Sequence, residues 1–306
     1  MKVIDLHCDV LMKMFNDCAI SFEDSDLLAV NYKQLTETNC RLQYFAVYVP
    51  EEVHPMLRYE AALKMIQLFY KKVLAMPKMK LIQTEDDYKT LRDDEIGAVL
   101  SLEGCDAIQD DLVRLATLKE LGVSSVGLTW NYANVFADGA MEPRNAGLSL
   151  KGRQLVRWLK QHKLVLDVSH LSEAGFWDSM AIGGKFFASH SNCRAICNHP
   201  RNLYDEQILE LMNRKGLIGL TFVPKFVTTE KQATIAHLVR HIEHIAGLGG
   251  IEQIGFGSDF DGTAEYVEGL HTYSCYDMMQ EELLKHYTYA QVEGFLYRNY
   301  EKFLFN

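Results

Sequence analysis

Six side chains of the types that ligate metals stand at the ends of apolar segments. His7 and Asp9 close VIDLHCD, Glu103 closes IGAVLSLE, His170 follows LVLDVS, His190 follows FFAS and Asp259 follows QIGFGS. A lone histidine in such a place is more often a hydrogen-bonded structural residue, but ligand types at five segment ends together point to a shared site. His7 and Asp9 suit one ion and His170 and His190 a second, with Glu103 placed to bridge both. Asp259 then lies near the first ion with an oxygen free for proton transfer. Imidazoles with a few carboxylates favour zinc, and manganese or iron also fit the set.

Such a cluster requires a scaffold that brings distant segment ends to one place. Apolar, β-branched runs predict strands starting at residues 3, 43, 96, 123, 164, 186, 217 and 253, with a short extra strand at Lys80 to Gln83. Helical spacing predicts helices over about 55–75, 110–121, 149–162, 172–182, 205–214 and 230–247. Eight strands separated by helices, with no Gly/Ser/Pro linker, give an α/β chain expected to fold as a single (β/α)8 TIM barrel with extra helices and short strands, one hydrolase domain over residues 1–306. Active sites of such barrels lie at the carboxyl ends of the strands, where the six ligand types fall. The first strand is expected to run from Val3 to Asp9, with Asp5, His7 and Asp9 on one face.

Composition narrows the partners. Among 306 residues, 31 basic and 41 acidic side chains give a net charge of -10 and no basic stripe, which argues against nucleic acid and against an anionic membrane surface. Seven scattered cysteines without a C-x-x-C pair predict reduced thiols in a cytoplasmic protein. No apolar run approaches the roughly 20 residues that span a bilayer, and a strand beginning at residue 3 is expected to leave no room for a signal peptide.

The motifs HCD at 7–9, LEG at 102–104, DVSH at 167–170, SHSNCR at 189–194, HPRN at 199–202 and GFGSDFDG at 255–262 carry a resemblance. In order and over essentially the whole chain, they resemble the membrane (renal) dipeptidase family of zinc peptidases, in a soluble, bacterial-type form within the metal-dependent amidohydrolase superfamily. The resemblance implies two zinc ions, one held by His7, Asp9 and Glu103 and the other by Glu103, His170 and His190. It implies hydrolysis of free dipeptides by a metal-bridging hydroxide, with Arg201 holding the substrate carboxylate and Asp259 as general acid/base. It also points to a homodimer.

Two positions depart from the family pattern. Trp130, in LTWNYANVFADG, stands where relatives carry a histidine that helps bind substrate and stabilise the transition state, and Phe226 stands where a tyrosine is expected. Asn131, Tyr132 and Asn134 are the candidates to replace the lost polar contact. These changes keep two other readings open: an amidohydrolase acting on N-acyl amino acids, lactams or lactones, and a metal-binding protein with catalysis impaired by Trp130.

Other polar residues take plainer readings. His237, His241 and His244 at i, i+4 and i+7 are expected on a solvated helix face rather than at a metal, and Cys193 and Cys197 are expected to be structural thiols. His271 and Tyr273 are weak candidates for the pocket wall. Asp5 is expected to orient a metal ligand from behind.

Overall fold

The computed structural model describes residues 1–306. Its strands are β1 (Val3–Asp5), β2 (Cys40–Tyr48), β3 (Met79–Leu81), β4 (Ile96–Glu103), β5 (Val123–Gly127), β6 (Val165–Asp167), β7 (Phe186–Ala188), β8 (Leu217–Leu220) and β9 (Ile254–Phe256). All pairings are parallel, and β1, β2, β4, β5, β6, β7, β8 and β9 close in that order into an eight-stranded TIM barrel. These are the eight strands predicted. The short strand predicted at 80 is β3, which pairs with Ile96 to Ala98 of β4 before β5 takes over from Leu100. Strands covered on both faces read as continuous apolar runs, and β2 is buried through all but its last residue.

Helices Leu112–Glu120, Leu150–Gln161, Glu173–Ile182, Asp205–Asn213 and Ile235–Gly247 lie where the periodicity puts them. Side chains of Asp111, Ser149 and Ser172 accept backbone N–H groups of the first turn and fix three of the starts. The long helix expected over 55–75 is shorter, an α-helix at Arg58–Leu68 ending in a wide turn at Phe69–Val73. No helix is long and apolar enough to cross a membrane.

The first strand is also shorter than expected, for a reason that bears on the site. β1 leaves the ladder after Asp5, whose carboxylate accepts the N–H groups of His7 (3.2 Å) and Ser258 (2.9 Å) and the Ser258 hydroxyl (2.6 Å). Asp5 therefore ties the end of β1 to the end of β9. Its effect on His7 runs through the backbone and not through the imidazole ring.

Candidate metal centre

Each ligand-type residue sits where a strand gives way to a loop. Glu103 ends β4 between Tyr48 of β2 and Gly127 of β5, and His170 and His190 follow β6 and β7 by three and two residues. Asp259, beyond β9, has φ +62, and Asp261 has φ +69; a side chain rarely adopts this left-handed region without a local constraint. For Asp261 the constraint is visible: its carboxylate accepts N–H groups of Ala29 (2.8 Å) and Val30 (3.1 Å) and pairs with Lys13 (2.8 Å). Gly262 completes the turn, because a Cβ there would lie 2.3 Å from both Asp259 Oδ1 and Asp9 Oδ2. Only a residue without a side chain lets the two carboxylates approach.

The structure brings all six together. His7 Nε2 lies 3.4 Å from Asp9 Oδ2, 3.3 Å from Glu103 Oε2 and 3.8 Å from Asp259 Oδ1. On the opposite side of the same carboxylate, Glu103 Oε1 lies 2.9 Å from His170 Nε2 and 3.8 Å from His190 Nε2. His7, Asp9, His170 and His190 are buried.

The hydrogen bonds fix how these rings are protonated. His170 Nδ1 faces the amide oxygen of Asn131 at 3.0 Å and must donate to it. His190 Nδ1 lies 2.7 Å from Ser189 Oγ, whose proton goes to Asp167 Oδ2, so this nitrogen also donates. Both Nε2 atoms are thereby left as bare lone pairs, yet they stand 2.8 Å apart with Glu103 Oε1 beside them. His7 Nε2 and Asp9 Oδ1 have no hydrogen-bond partner. Two bare imidazole lone pairs beside the Glu103 and Asp9 carboxylates in a buried space are a fit for cations, and the ligand set, nitrogen and carboxylate oxygen, is one that zinc accepts.

Electrostatics divide the site: at His7 burial lowers the ring's affinity for a proton, but Glu103 and then Asp9 outweigh it and hold the group above its ordinary value. Burial pushes the Glu103 carboxyl up, but His7 and His170 override it and hold the group well below the usual carboxylate range. Burial, then the neighbouring Arg201 charge, brings His170 down to about 4; burial, then His7, holds His190 well below its ordinary value, so both rings are neutral, as ligands must be. Burial, together with Asp9 and Glu103, drives Asp259 well above the usual carboxylate value.

Arg201 is buried with only one bond, from Nη2 to the His190 carbonyl at 3.4 Å, and its Nε and Nη1 have no partner. Phe226 packs against it, 5.5 Å from the guanidinium carbon to the ring centroid. Trp130 stands in the wall, its ring 5.2 Å from that of Tyr48 and 6.2 Å from that of His170.

The other residues expected to contact substrate fall elsewhere. Asn131 is spent on His170. Asn134 has its amide bonded to Asp106 and the Leu128 carbonyl and its oxygen to the N–H groups of Phe136 and Ala137, which shapes the loop and leaves it no free group. Tyr273 is fully buried beside Tyr276. Of the three histidines expected on a solvated face, His237 and His241 are buried and His244 is half-buried. His237 joins the helix cap through Thr234, His241 is fully buried between the Cys193 N–H and the Val227 carbonyl, and His244 bonds Asp205 at 2.7 Å. The bends that bring segments 193 and 227 over this helix are set by tertiary contacts that helical spacing does not reveal. All seven cysteines are free.

The sequence reading missed Asp167. Its Oδ1 accepts Ser169 N–H (3.0 Å), Ser169 hydroxyl (2.8 Å) and Ser189 N–H (3.0 Å), while Oδ2 accepts the Ser189 hydroxyl. It thus ties the end of β6 to that of β7 as Asp5 ties β1 to β9. The signal was present in DVSH and SHSNCR, where a serine precedes each histidine.

The family model for membrane dipeptidases, peptidase family M19, matches residues 1–304. An uncharacterized dipeptidase of Schizosaccharomyces pombe is 29% identical over 248 residues, 78% of this chain and 59% of that protein. The chain spans between about half and three-quarters of the length of the curated relatives it matches. The crystal structure of the dipeptidase AC, an M19 metallopeptidase, superposes with a TM-score of 0.93 at 25% identity, covering 99% of this chain and 98% of that one. A metallopeptidase of Rhodobacter sphaeroides, liganded with a phosphinate mimic of the dipeptide L-Ala-D-Ala, shares the fold with a TM-score of 0.93 at 24% identity, over 99% and 98% of the two chains. With its ligand types gathered around one carboxylate and a match over nearly its whole length, the chain belongs to the membrane dipeptidase family, peptidase family M19.

Proposed function

We propose that the chain is a zinc-dependent dipeptidase that hydrolyses the peptide bond of free dipeptides in the cytoplasm, with Asp259 as general acid/base. The observation that carries this reading is Glu103, whose Oε2 faces His7 at 3.3 Å and whose Oε1 faces His170 at 2.9 Å, with the His190 ring packed against both imidazoles, in a chain of this family. His7, Asp9 and Glu103 would hold one zinc ion, and Glu103, His170 and His190 the other. When bound, the ions supply Lewis acidity, polarising the scissile carbonyl and lowering the pKa of the attacking water.

The residues of the chain do the rest. Arg201 offers a buried, preorganised fork with two unpaired nitrogens, matched to the free carboxylate of a dipeptide and wasted on a neutral ester. Phe226 covers its face and keeps water from competing. Asp259, whose Oδ1 lies 3.8 Å from His7 Nε2, is placed to take the proton of the attacking water and deliver it to the leaving amine. Asn131 keeps the His170 ring turned inward.

The test is metal content by elemental analysis alongside hydrolysis of a dipeptide panel. Two zinc ions per chain and turnover are expected, with Asp259→Asn keeping both ions and losing about 10² to 10⁴ in kcat. Two ions without turnover of any dipeptide would sink the reading, and turnover of N-acyl amino acids instead would move the chain to the wider amidohydrolase class.

A further inference from the structure

The order of strands around the barrel gives the site two opposed sides. Arg201 rises from the loop after β7, and four places away in the ring of eight, on the far side of the metal ligands, stands β2. Tyr48 is the last residue of β2, and Trp130 follows β5 by three residues. Their rings meet at 5.2 Å, tilted by 43°, across the end of the strand between them, where Glu103 stands. With Glu103, Gly104 and Tyr132 they line a recess of about 30 Å³. A single water needs roughly 10–15 Å³, so the recess takes about two or three heavy atoms.

Trp130 is held there from its backbone. A Cβ on Gly104 would lie 3.2 Å from Trp130 N, and one on Gly139 would lie 2.3 Å from Trp130 O, so the chain is packed closely on both sides of the residue. The Met141 N–H also bonds the Asn131 carbonyl at 2.8 Å. The indole has the Tyr48 ring on one flank and the His170 ring on the other.

Because β2 lies opposite the loop that carries Arg201, a dipeptide with its carboxylate on Arg201 and its peptide bond over the metal ligands would have its N-terminal residue on the side of this wall. We infer that Trp130, backed by Tyr48, restricts the N-terminal residue of the substrate to small side chains, glycine or alanine, by filling the space a larger one would need. The inference rests on the dipeptidase reading and names the substrate class of the same site.

The experiment compares dipeptides with a common C-terminal residue and glycine, alanine, leucine or phenylalanine at the N-terminus, in the zinc-loaded protein and in Trp130→Ala and Trp130→Phe. Calorimetric binding of non-hydrolysable analogues of the same dipeptides runs in parallel. In the parent protein kcat/KM and affinity are expected to favour small N-terminal residues by about 10-fold or more, since one or two methylenes in a fitted pocket discriminate on that scale. Trp130→Ala is expected to bring the ratio within about 3-fold with metal content unchanged. Trp130→Phe keeps a ring against Tyr48, is expected to give an intermediate ratio, and decides the matter should the alanine variant lose metal. Equal use of leucine and glycine by the parent, or a ratio that neither variant moves, would overturn the inference. Hydrolysis of no dipeptide would defeat the dipeptidase reading alone, because the binding ratio still decides the steric one; binding of no analogue would defeat both.

Discussion

On the Oε2 side of Glu103 the ligand types are one imidazole and two carboxylates, from His7, Asp9 and Asp259; on the Oε1 side they are two imidazoles, from His170 and His190. The first side is rich in carboxylates and is held by backbone: the left-handed turns at Asp259 and Asp261, the glycine at 262 and the tie from Asp5 to Ser258. The second side is neutral and is held by hydrogen bonds, which run from Asp167 through Ser189 to His190 and from Asn131 to His170. One side therefore offers a cation mainly carboxylate oxygens, and the other oriented imidazole lone pairs. Glu103 is the one residue on which both depend.

Replacing that shared residue should do the most damage. Glu103→Gln keeps the shape and removes the charge, so metal content is expected to fall from two ions to one or fewer, and kcat/KM by at least about 10³-fold. Elemental analysis that still finds two ions would show that the two sides do not share this carboxylate. Asp167→Asn is expected to act on one side only. Freed Ser189 no longer fixes the His190 tautomer, and one ion should bind about 10- to 100-fold more weakly while the other is retained. Competition with a chelator reads both affinities in one titration. Equal weakening of the two ions would erase the distinction between the sides.

The same contrast explains what the sequence made legible. Ligand types were readable one by one, because each stands at the end of an apolar run, and strand ends meet at one rim of a barrel. Eight strand positions were readable too, since strands buried on both faces leave continuous apolar segments. What the sequence concealed was support. Asp5 and Asp167 each turn back on the backbone of a neighbouring strand, and Asn131 faces a ring 39 residues further along. The intended partners of Asn134 and His241 were equally hidden, and both residues prove to be occupied in holding loops. Polar type announces a capacity for bonding, while the partner is chosen by tertiary approach.

His241 offers the mildest test of the idea that the imidazole side is held by neutral hydrogen-bonded groups. Its Nδ1 accepts the N–H of Cys193, three residues after His190, at 3.1 Å, and its Nε2–H donates to the Val227 carbonyl at 2.8 Å, next to Phe226 under Arg201. A second proton would have to enter at Nδ1, against the Cys193 N–H. Burial accordingly brings the group down to about 4 in the fold, from 6.5 in an unfolded chain. With the folded value depressed, the unfolded chain binds more protons between the two values, so the stabilisation is complete above pH 6.5 and is lost as pH falls from there to about 4. The contribution is at most on the order of 3 kcal/mol. Metal-free protein should therefore lose thermal stability across that window more steeply than His241→Asn, which has no proton to gain. Denaturation curves for the two proteins at pH 7, 6, 5 and 4.5 give the difference directly, and parallel curves would mean that the ring is protonated at no cost and that its neutral state supports nothing.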